Sequence, residues 1–490
     1  MKKLILMLCM LLLLCSCVDA ATKIGLDRLN WSQSLPVGAN VTLNEGYLVD
    51  AKLGGSSPEV TVGAYKWCDF VTDGVNDEVQ ILQALDTGKN VHLVGDLYIN
   101  SNLTIDGRVN IYGDGPGRSA IIEKGVASIV FSDIIQTRFS NIEVKRDLGG
   151  SSKNGTVGIN VERAAPFWSV YSIFSNLYVH GSDTDLVLGQ SLPRNVVGLF
   201  SIIDCTFGPN PSDLVNPANR DNVSIDVRYG IEPKFTRCEI DGFNHTGLLI
   251  GPGKTNNVWI EDCYINGQDI GKYGIYIQNG DAHLISRIGS ESCAEANIYI
   301  SGGNCIRIDN SFFGGGGDTE KTGQCLVIKS DFTDIYDVTI SNCRSAYATG
   351  SGGLHAQDPM IEITDGIGGE IHGIAFRNCE MWDNGYGAVN VTNAMEISIQ
   401  GCNIRDFHEV YRTTAVSGAI NFIGECSRGS VQNNIIGMSN QGITIQDTSW
   451  GIMVTGNNIY GTNLGGDAIN ITTTRPWTIT NSTNYWMTWA

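Results

Sequence analysis

One repeating pattern limits what this chain can fold into more than any other feature. Apolar residues alternate, two polar residues interrupt them, a Cys or Asn follows, and the alternation resumes. Val258-Trp259-Ile260-Glu261-Asp262-Cys263-Tyr264-Ile265 is one copy, and Ile374-Ala375-Phe376-Arg377-Asn378-Cys379-Glu380-Met381 is another. Ile397 to Ile404 and Ile452 to Ile459 repeat it. Taking the Cys-like position as the marker, the rungs are Ile142, Leu177, Cys205, Cys238, Cys263, Cys293, Ser311, Cys343, Cys379, Cys402, Asn434 and Asn457. Eleven steps from Ile142 to Asn457 give a repeat of roughly 29 residues, a plausible solenoid coil.

Period-two alternation on both sides of a short interruption predicts two strands joined by a sharp bend, with the apolar positions facing a core. The second interrupting residue is Asn141, Asn176, Asp204, Arg237, Asp262, Ser292, Asn310, Asn342, Asn378, Gly401, Asn433 or Gly456. Asn, Asp and Gly are the residues that best tolerate a left-handed backbone, so this column is expected to hold the bend in every coil. Asp204 and Asp262 could pass for a catalytic carboxylate pair on neighbouring coils, but their place in the column makes them turn residues.

The N-terminus has the parts of an export signal: Lys2-Lys3, an apolar run from Leu4 to Leu14, then small residues. The run is too short to span a bilayer. Val18-Asp19-Ala20 suits an ordinary signal peptidase, whereas Leu14-Cys15-Ser16-Cys17 resembles a lipobox, which would lipidate Cys17 and make it the chain's membrane attachment. The expected segments are 1–20 as signal, 21–65 as mixed strand and turn, 66–115 as a capping helix with the first coil, 116–480 as coils, and 481–490 as an aromatic C-terminal cap or tail. A charge of −19, from 51 acidic against 32 basic residues, argues against nucleic acid as a partner.

Asp73-Gly74-Val75-Asn76-Asp77-Glu78 runs into Val79-Gln80-Ile81-Leu82-Gln83-Ala84-Leu85. Acidic residues at its start and Val79, Leu82 and Leu85 at intervals of three predict a short helix packed by those apolar residues. With Leu103-Thr104-Ile105 and the Gly113-Asp114-Gly115 turn, this stretch resembles the opening of pectate-lyase-like β-helix proteins. The resemblance implies an all-β, right-handed parallel β-helix of about twelve coils with a short N-terminal capping helix. That superfamily includes polysaccharide lyases, glycoside hydrolases, epimerases, phage tailspikes and non-catalytic surface proteins, so it constrains function much less than fold. Its two best-known active sites are missing: there is no Asp-Asp pair, Gly-His-Gly or Arg-Ile-Lys of the polygalacturonase type, and no Arg-x-x-Pro-x-x-Arg of the pectate lyase type.

Cysteines in an exported chain suggest disulfides, yet most of those beyond Cys17 fall on the ladder, where Cys interchanges with Ser311 and Asn434. Mostly free, packed thiols are expected. The scattered histidines and the lack of any Cys-x-x-Cys give no support to a zinc site.

Function is expected where coil lengths vary, in the loops that follow each ladder strand. The loops Ala346 to Pro359 and Arg405 to Gly418 are long and flank the short Trp382 to Gly387. Two tall loops around a short one predict a cleft. Its floor would carry Trp382, Asp383 and Tyr386, and its walls His355, Asp358, Asp406, His408, Glu409, Tyr411 and Arg412. Asp383, Asp406, His408 and Glu409 are the catalytic candidates there; Trp382, Tyr386, Tyr411, Arg412 and His355 would bind substrate. Aromatic faces beside carboxylates suit polysaccharide cleavage, and Arg412 suits a uronate carboxyl. A second edge has Asp241, His245, Asp269, Lys272 and Tyr273, where a carboxylate beside a Lys could serve a lyase. The polar loops of any solenoid carry such residues without catalysis. Two readings therefore stand: an exported protein that binds or processes an extracellular polysaccharide, as lyase or hydrolase, or a non-catalytic cell-surface or adhesion protein. No cofactor is expected, with Ca2+ entering only for a lyase.

Overall fold

The structure is a computed structural model. It describes residues 40–44, 47–52, 58–149, 153–162, 169–189, 197–209, 220–253, 255–314, 323–346, 359–382, 387–405, 418–437, 441–460, 468–474, 480–482 and 485–487. The chain divides into two compact units, residues 1–60 and 61–490. In the first, Asn40–Asn44 and Tyr47–Lys52 pair as an antiparallel hairpin. The expected export signal with Cys17 lies outside the described residues, as do five of the last segment's ten residues.

The second unit is a right-handed parallel β-helix. One of its faces is a fourteen-stranded, wholly parallel sheet that runs from Leu103–Asp106 through Thr246–Ile250, Tyr273–Ile277 and Ala296–Ile300 to Ile469–Ile471. The other faces are built from short strand pairs such as Trp259–Glu261 and Tyr264–Asn266, which straddle the bend. Among the described residues, no helix is long and apolar enough to cross a membrane.

The bend column holds as read, with one exception. Asn141, Asn176, Asp204, Arg237, Asp262, Asn310, Asn342, Asn378 and Asn433 all have φ between 48° and 55°, and Gly401 and Gly456 have φ of 66° and 68°. The exception is one of register: Ser292 is left-handed as expected, at φ 56°, but the coil given to it and Cys293 bends elsewhere. Tyr264 pairs with Gly289, and Gly289 with Phe312, so Arg287 (φ 53°) makes this bend and Ile288 is the rung between Cys263 and Ser311. Arg is an unusual left-handed residue and Ile an unusual rung, so the Ser-Cys pair five residues on imitates the pattern better than the true site does. Outside the bend, Asp204 accepts Nε and Nη2 of Arg237 from the next coil at 2.6 and 2.9 Å, and Asp262 accepts those of Arg287 at 2.7 and 3.0 Å. These aspartates are structural.

The rungs do more than fill space. The Cys402 amide donates to Asn434 Oδ1 at 2.8 Å, that of Asn434 to Asn457 Oδ1 at 3.0 Å, and that of Ile288 to Ser311 Oγ at 3.3 Å. The Cys238 amide likewise meets Cys263 Sγ at 3.4 Å. Each polar rung thus accepts the buried N–H that the bend in the preceding coil leaves without a sheet partner. Cys, Ser and Asn interchange because each is small and each is an acceptor. The ladder cysteines are buried and free, as expected.

Inside, Phe131, Phe139, Phe174 and Phe200 stack with successive centroids 4.7 to 5.6 Å apart, and Ile225, Leu248, Ile275 and Ile298 form a fully buried column. The helix forms at Glu78–Leu85, but its packed face differs from the one expected. Ile81 and Ala84 are buried, whereas Val79 and Leu82 are exposed. Polar bonds set this orientation. Asp77 accepts the amides of Gly74 and Tyr98 at 3.0 and 2.8 Å, and Glu78 accepts Ser101 Oγ at 2.7 Å, which turns the acidic side toward the neighbouring strand.

The bend column generates a prediction. Asn378→Ala should lower stability by about 1 kcal/mol, because Cβ without a helpful polar group disfavours the left-handed backbone, whereas Asn378→Gly should cost little. Thermal unfolding of the two variants checks this, with equal losses counting against it.

Candidate functional site

Most of the residues expected to form the first cleft, namely Asp383, Tyr386, Asp406, His408, Glu409, Tyr411, Arg412, His355 and Asp358, lie outside the described residues. Trp382 is described, at the end of a ladder strand between Ala346 and Arg405 of the adjoining coils. Its ring is engaged by two guanidinium groups, with Arg344 Cζ 4.0 Å and Arg405 Cζ 5.2 Å from the ring centroid.

The second edge is described, and the structure divides it. Asp241 accepts both of its bonds from Gln268 Nε2, at 2.9 and 3.0 Å, while Arg220 donates to the Gln268 carbonyl at 3.4 Å and feels the charges of Asp241 and Asp269. His245, Lys272 and Tyr273 belong to a different cluster, on the outer face of the fourteen-stranded sheet.

That cluster follows from strand alternation. Ile275, Ile277, Ile298 and Ile300 point into the core, so Tyr276 and Tyr299 between them point outward, and parallel register places one directly above the other. Tyr273 starts the same strand as Tyr276. The three rings form a compact group, with centroids 5.0 Å apart for Tyr273–Tyr276 and Tyr273–Tyr299 and 5.1 Å for Tyr276–Tyr299. His245 packs edge-on against Tyr273 at 5.5 Å.

Two ion pairs border the rings. The Tyr273 hydroxyl donates to Glu295 Oε2 at 2.5 Å, and Lys272 Nζ lies 3.2 Å from Oε1 of the same carboxylate. The Tyr299 hydroxyl donates to Asp331 Oδ2 at 2.6 Å, with Lys329 Nζ 3.3 Å from Oδ1. Burial, reinforced by these carboxylates, pushes both phenols above their ordinary range, so they stay protonated donors. Burial works against the Glu295 carboxylate too, but Tyr273 and Lys272 outweigh it and hold its pKa below the usual value. For His245, burial first and the Lys272 charge second depress the pKa, which favours a neutral imidazole. Its Nδ1 lies 2.8 Å from Thr246 Oγ1.

The face therefore joins an aromatic platform, a neutral imidazole, an ionised carboxylate and phenolic proton donors. Sequence reasoning found His245, Lys272 and Tyr273 and missed Tyr276, Glu295, Tyr299 and Asp331. A signal was available: Ile275-Tyr276-Ile277 and Ile298-Tyr299-Ile300 are the same tripeptide one coil apart.

Other polar clusters are less suited to chemistry. Asp185 and Asp221 are wholly buried with Lys153 Nζ 3.5 Å from Asp221. Burial pushes Asp185 well up and Asp221 up to about 6, but a sealed cluster meets no substrate. Among the described residues, no three His, Cys, Asp or Glu side chains are placed to hold a metal ion.

No protein-family profile matches this chain, and no curated protein matches it. Solved structures do. The catalytic domain of Agl-KA is similar with a TM-score of 0.53 at 13% identity, over 84% of this chain and 68% of that one. The catalytic domain of a GH87 alpha-1,3-glucanase, solved in complex with tetrasaccharides, has a TM-score of 0.42 at 12% identity, over 88% and 70% of the two chains. DFA-IIIase from Arthrobacter chlorophenolicus A6 has a TM-score of 0.43 at 9% identity, over 86% and 98%. At such identities the likeness to Agl-KA bears on architecture, and the architecture is the right-handed parallel β-helix that the resemblance implied and the repeat is consistent with.

Proposed function

We propose that this chain is an exported protein that binds a polysaccharide on the outer face of its fourteen-stranded sheet and cleaves it by elimination. The observation that carries this reading is the Tyr273, Tyr276 and Tyr299 platform beside His245, Lys272 and Glu295. Sugar rings pack their C–H faces on aromatic side chains while flanking polar groups take the hydroxyls. The lysine start and apolar run at the N-terminus support export, by either of the two cleavage routes, and hence an extracellular or cell-surface polymer as substrate.

Elimination suits these groups better than hydrolysis. Hydrolysis needs a carboxylic acid held protonated, and Glu295 is shifted the other way. Elimination needs a neutral base to remove the proton beside a uronate carboxyl, and His245 is one. As that C–H bond breaks, its electron pair forms the new double bond and the glycosidic oxygen leaves. Tyr273, protonated and beside Lys272, is the donor available to that oxygen.

Incubation with a polysaccharide panel, reading new reducing ends and unsaturated-uronate absorbance together, tests the function. Tyr276→Ala should weaken binding roughly five- to tenfold, the loss of about 1 kcal/mol of ring contact. His245→Gln should leave binding near its parent value and remove the unsaturated product. Binding without product would make the chain a non-catalytic carbohydrate-binding surface protein. Variants indistinguishable from the parent would mean that this face is not the site.

The base assignment has its own check. Because Lys272 depresses the His245 pKa, Lys272→Met should raise it, and an NMR titration of the imidazole should show an upward midpoint shift. An unchanged midpoint would remove Lys272 from the acid–base role given to it.

A further inference from the structure

Arg344, Trp382 and Arg405 form a second arrangement, on the ladder-strand edge rather than on the tyrosine face. The three residues come from successive coils, since Ala346 pairs with Trp382 and Trp382 with Arg405. The guanidinium groups lie 4.0 and 5.2 Å from the indole centroid, so one ring holds two cations within cation–π range. Several arginines on the bend side meet a carboxylate, as Arg237 meets Asp204, Arg287 meets Asp262 and Arg428 meets Glu396. Among the described residues, Arg344 and Arg405 have no such partner. Glu380 sits opposite Arg344 in the strand register, yet no ion pair closes between them. Among the described residues, Arg405 Nε is buried and finds no acceptor, and neither does Trp382 Nε1.

Two like charges on one ring repel, and a buried guanidinium N–H without an acceptor costs free energy. Both penalties are relieved when an anionic group accepts from these arginines. The indole keeps the guanidinium planes in place, and an Arg fork matches the paired oxygens of a carboxylate or a sulfate. The tyrosine face cannot supply this recognition with Lys272 and Lys329, because each already meets a carboxylate.

We propose that Arg344 and Arg405, mounted on Trp382, bind a carboxylate or sulfate ester on an acidic polysaccharide, so that the ligand is a polyanionic glycan. This rests on the polysaccharide reading above and adds to it a second site that holds an acidic group of the polymer. The strand after Trp382 lies three strand spacings from that of Tyr299, about 14 Å along the stack.

The test uses the full exported chain and Arg344→Met, which keeps an apolar stem over the indole and alters an exposed residue. The probes are an oligogalacturonate, a sulfated galactan, a neutral dextran and sodium sulfate. Arg344→Met should bind one or both acidic glycans about tenfold more weakly, as loss of a charge-assisted contact implies, with dextran unaffected. Arg344→Lys should recover only part of the loss. Which acidic glycan responds identifies carboxylate or sulfate as the group. If no glycan binds the parent, the tyrosine reading fails, but the anion site still predicts that sulfate stabilises the parent against heat more than it does Arg344→Met. Equal acidic-glycan affinities in parent and variant, or equal stabilisation by sulfate where no glycan binds, would overturn the assignment.

Discussion

From Asn141 to Gly456 each described coil of this solenoid turns at one residue in the left-handed region, and the rest of the structure depends on that residue recurring at the same place. A bend there points the apolar positions of both adjoining strands inward and frees one amide from the sheet. In most coils the rung side chain of the next coil takes that amide, as Asn434 does for Cys402 and Asn457 for Asn434. Stacking is therefore specified twice, by the sheet ladder and by the bend column. A one-residue slip would both expose the Ile columns and leave these amides without acceptors.

A fixed register also determines what the outside can present. Positions that alternate with the core residues stack directly above one another, so two tyrosines in the same slot of consecutive coils must become ring neighbours. Tyr276 and Tyr299 meet for this reason, with no loop needed to bring them together. Tyr273 and Glu295 flank them at the starts of their strands, and the neutral imidazole of His245 completes the group. The same stacking puts Arg405 in register with Trp382 on another edge, and Arg344, two positions before the partner of Trp382 in the preceding coil, meets the same ring. In both cases a scaffold rule produces a chemical arrangement.

The sequence made the architecture legible because its signal is repeated. Asn, Asp or Gly before a small acceptor, flanked by alternating Ile and Val, identified nearly every bend. It failed at Arg287 and Ile288, where unusual residue types occupy standard positions and the nearby Ser292-Cys293 imitates the expected ones. The helix face was misread because periodicity weighs only apolar residues, whereas the hydrogen bonds of Asp77 and Glu78 fixed the orientation. The site was legible only in part. His245, Lys272 and Tyr273 are close in sequence, but Tyr299 and Asp331 reach them only through inter-coil register, and coil lengths vary too much for that register to be counted along the chain. For the cleft expected around Trp382, variable loop length gave candidate residues but no geometry.

The central claim is that the stacked tyrosines are the surface on which a glycan lies. Hydroxyl-radical footprinting with and without the glycan that the polysaccharide panel identifies tests this most directly, because it reads individual side chains. The account predicts that Tyr273, Tyr276 and Tyr299 lose reactivity when the glycan is present, while Trp259, exposed on a different face, keeps its own. Protection of Trp259 with the three tyrosines unchanged would contradict it.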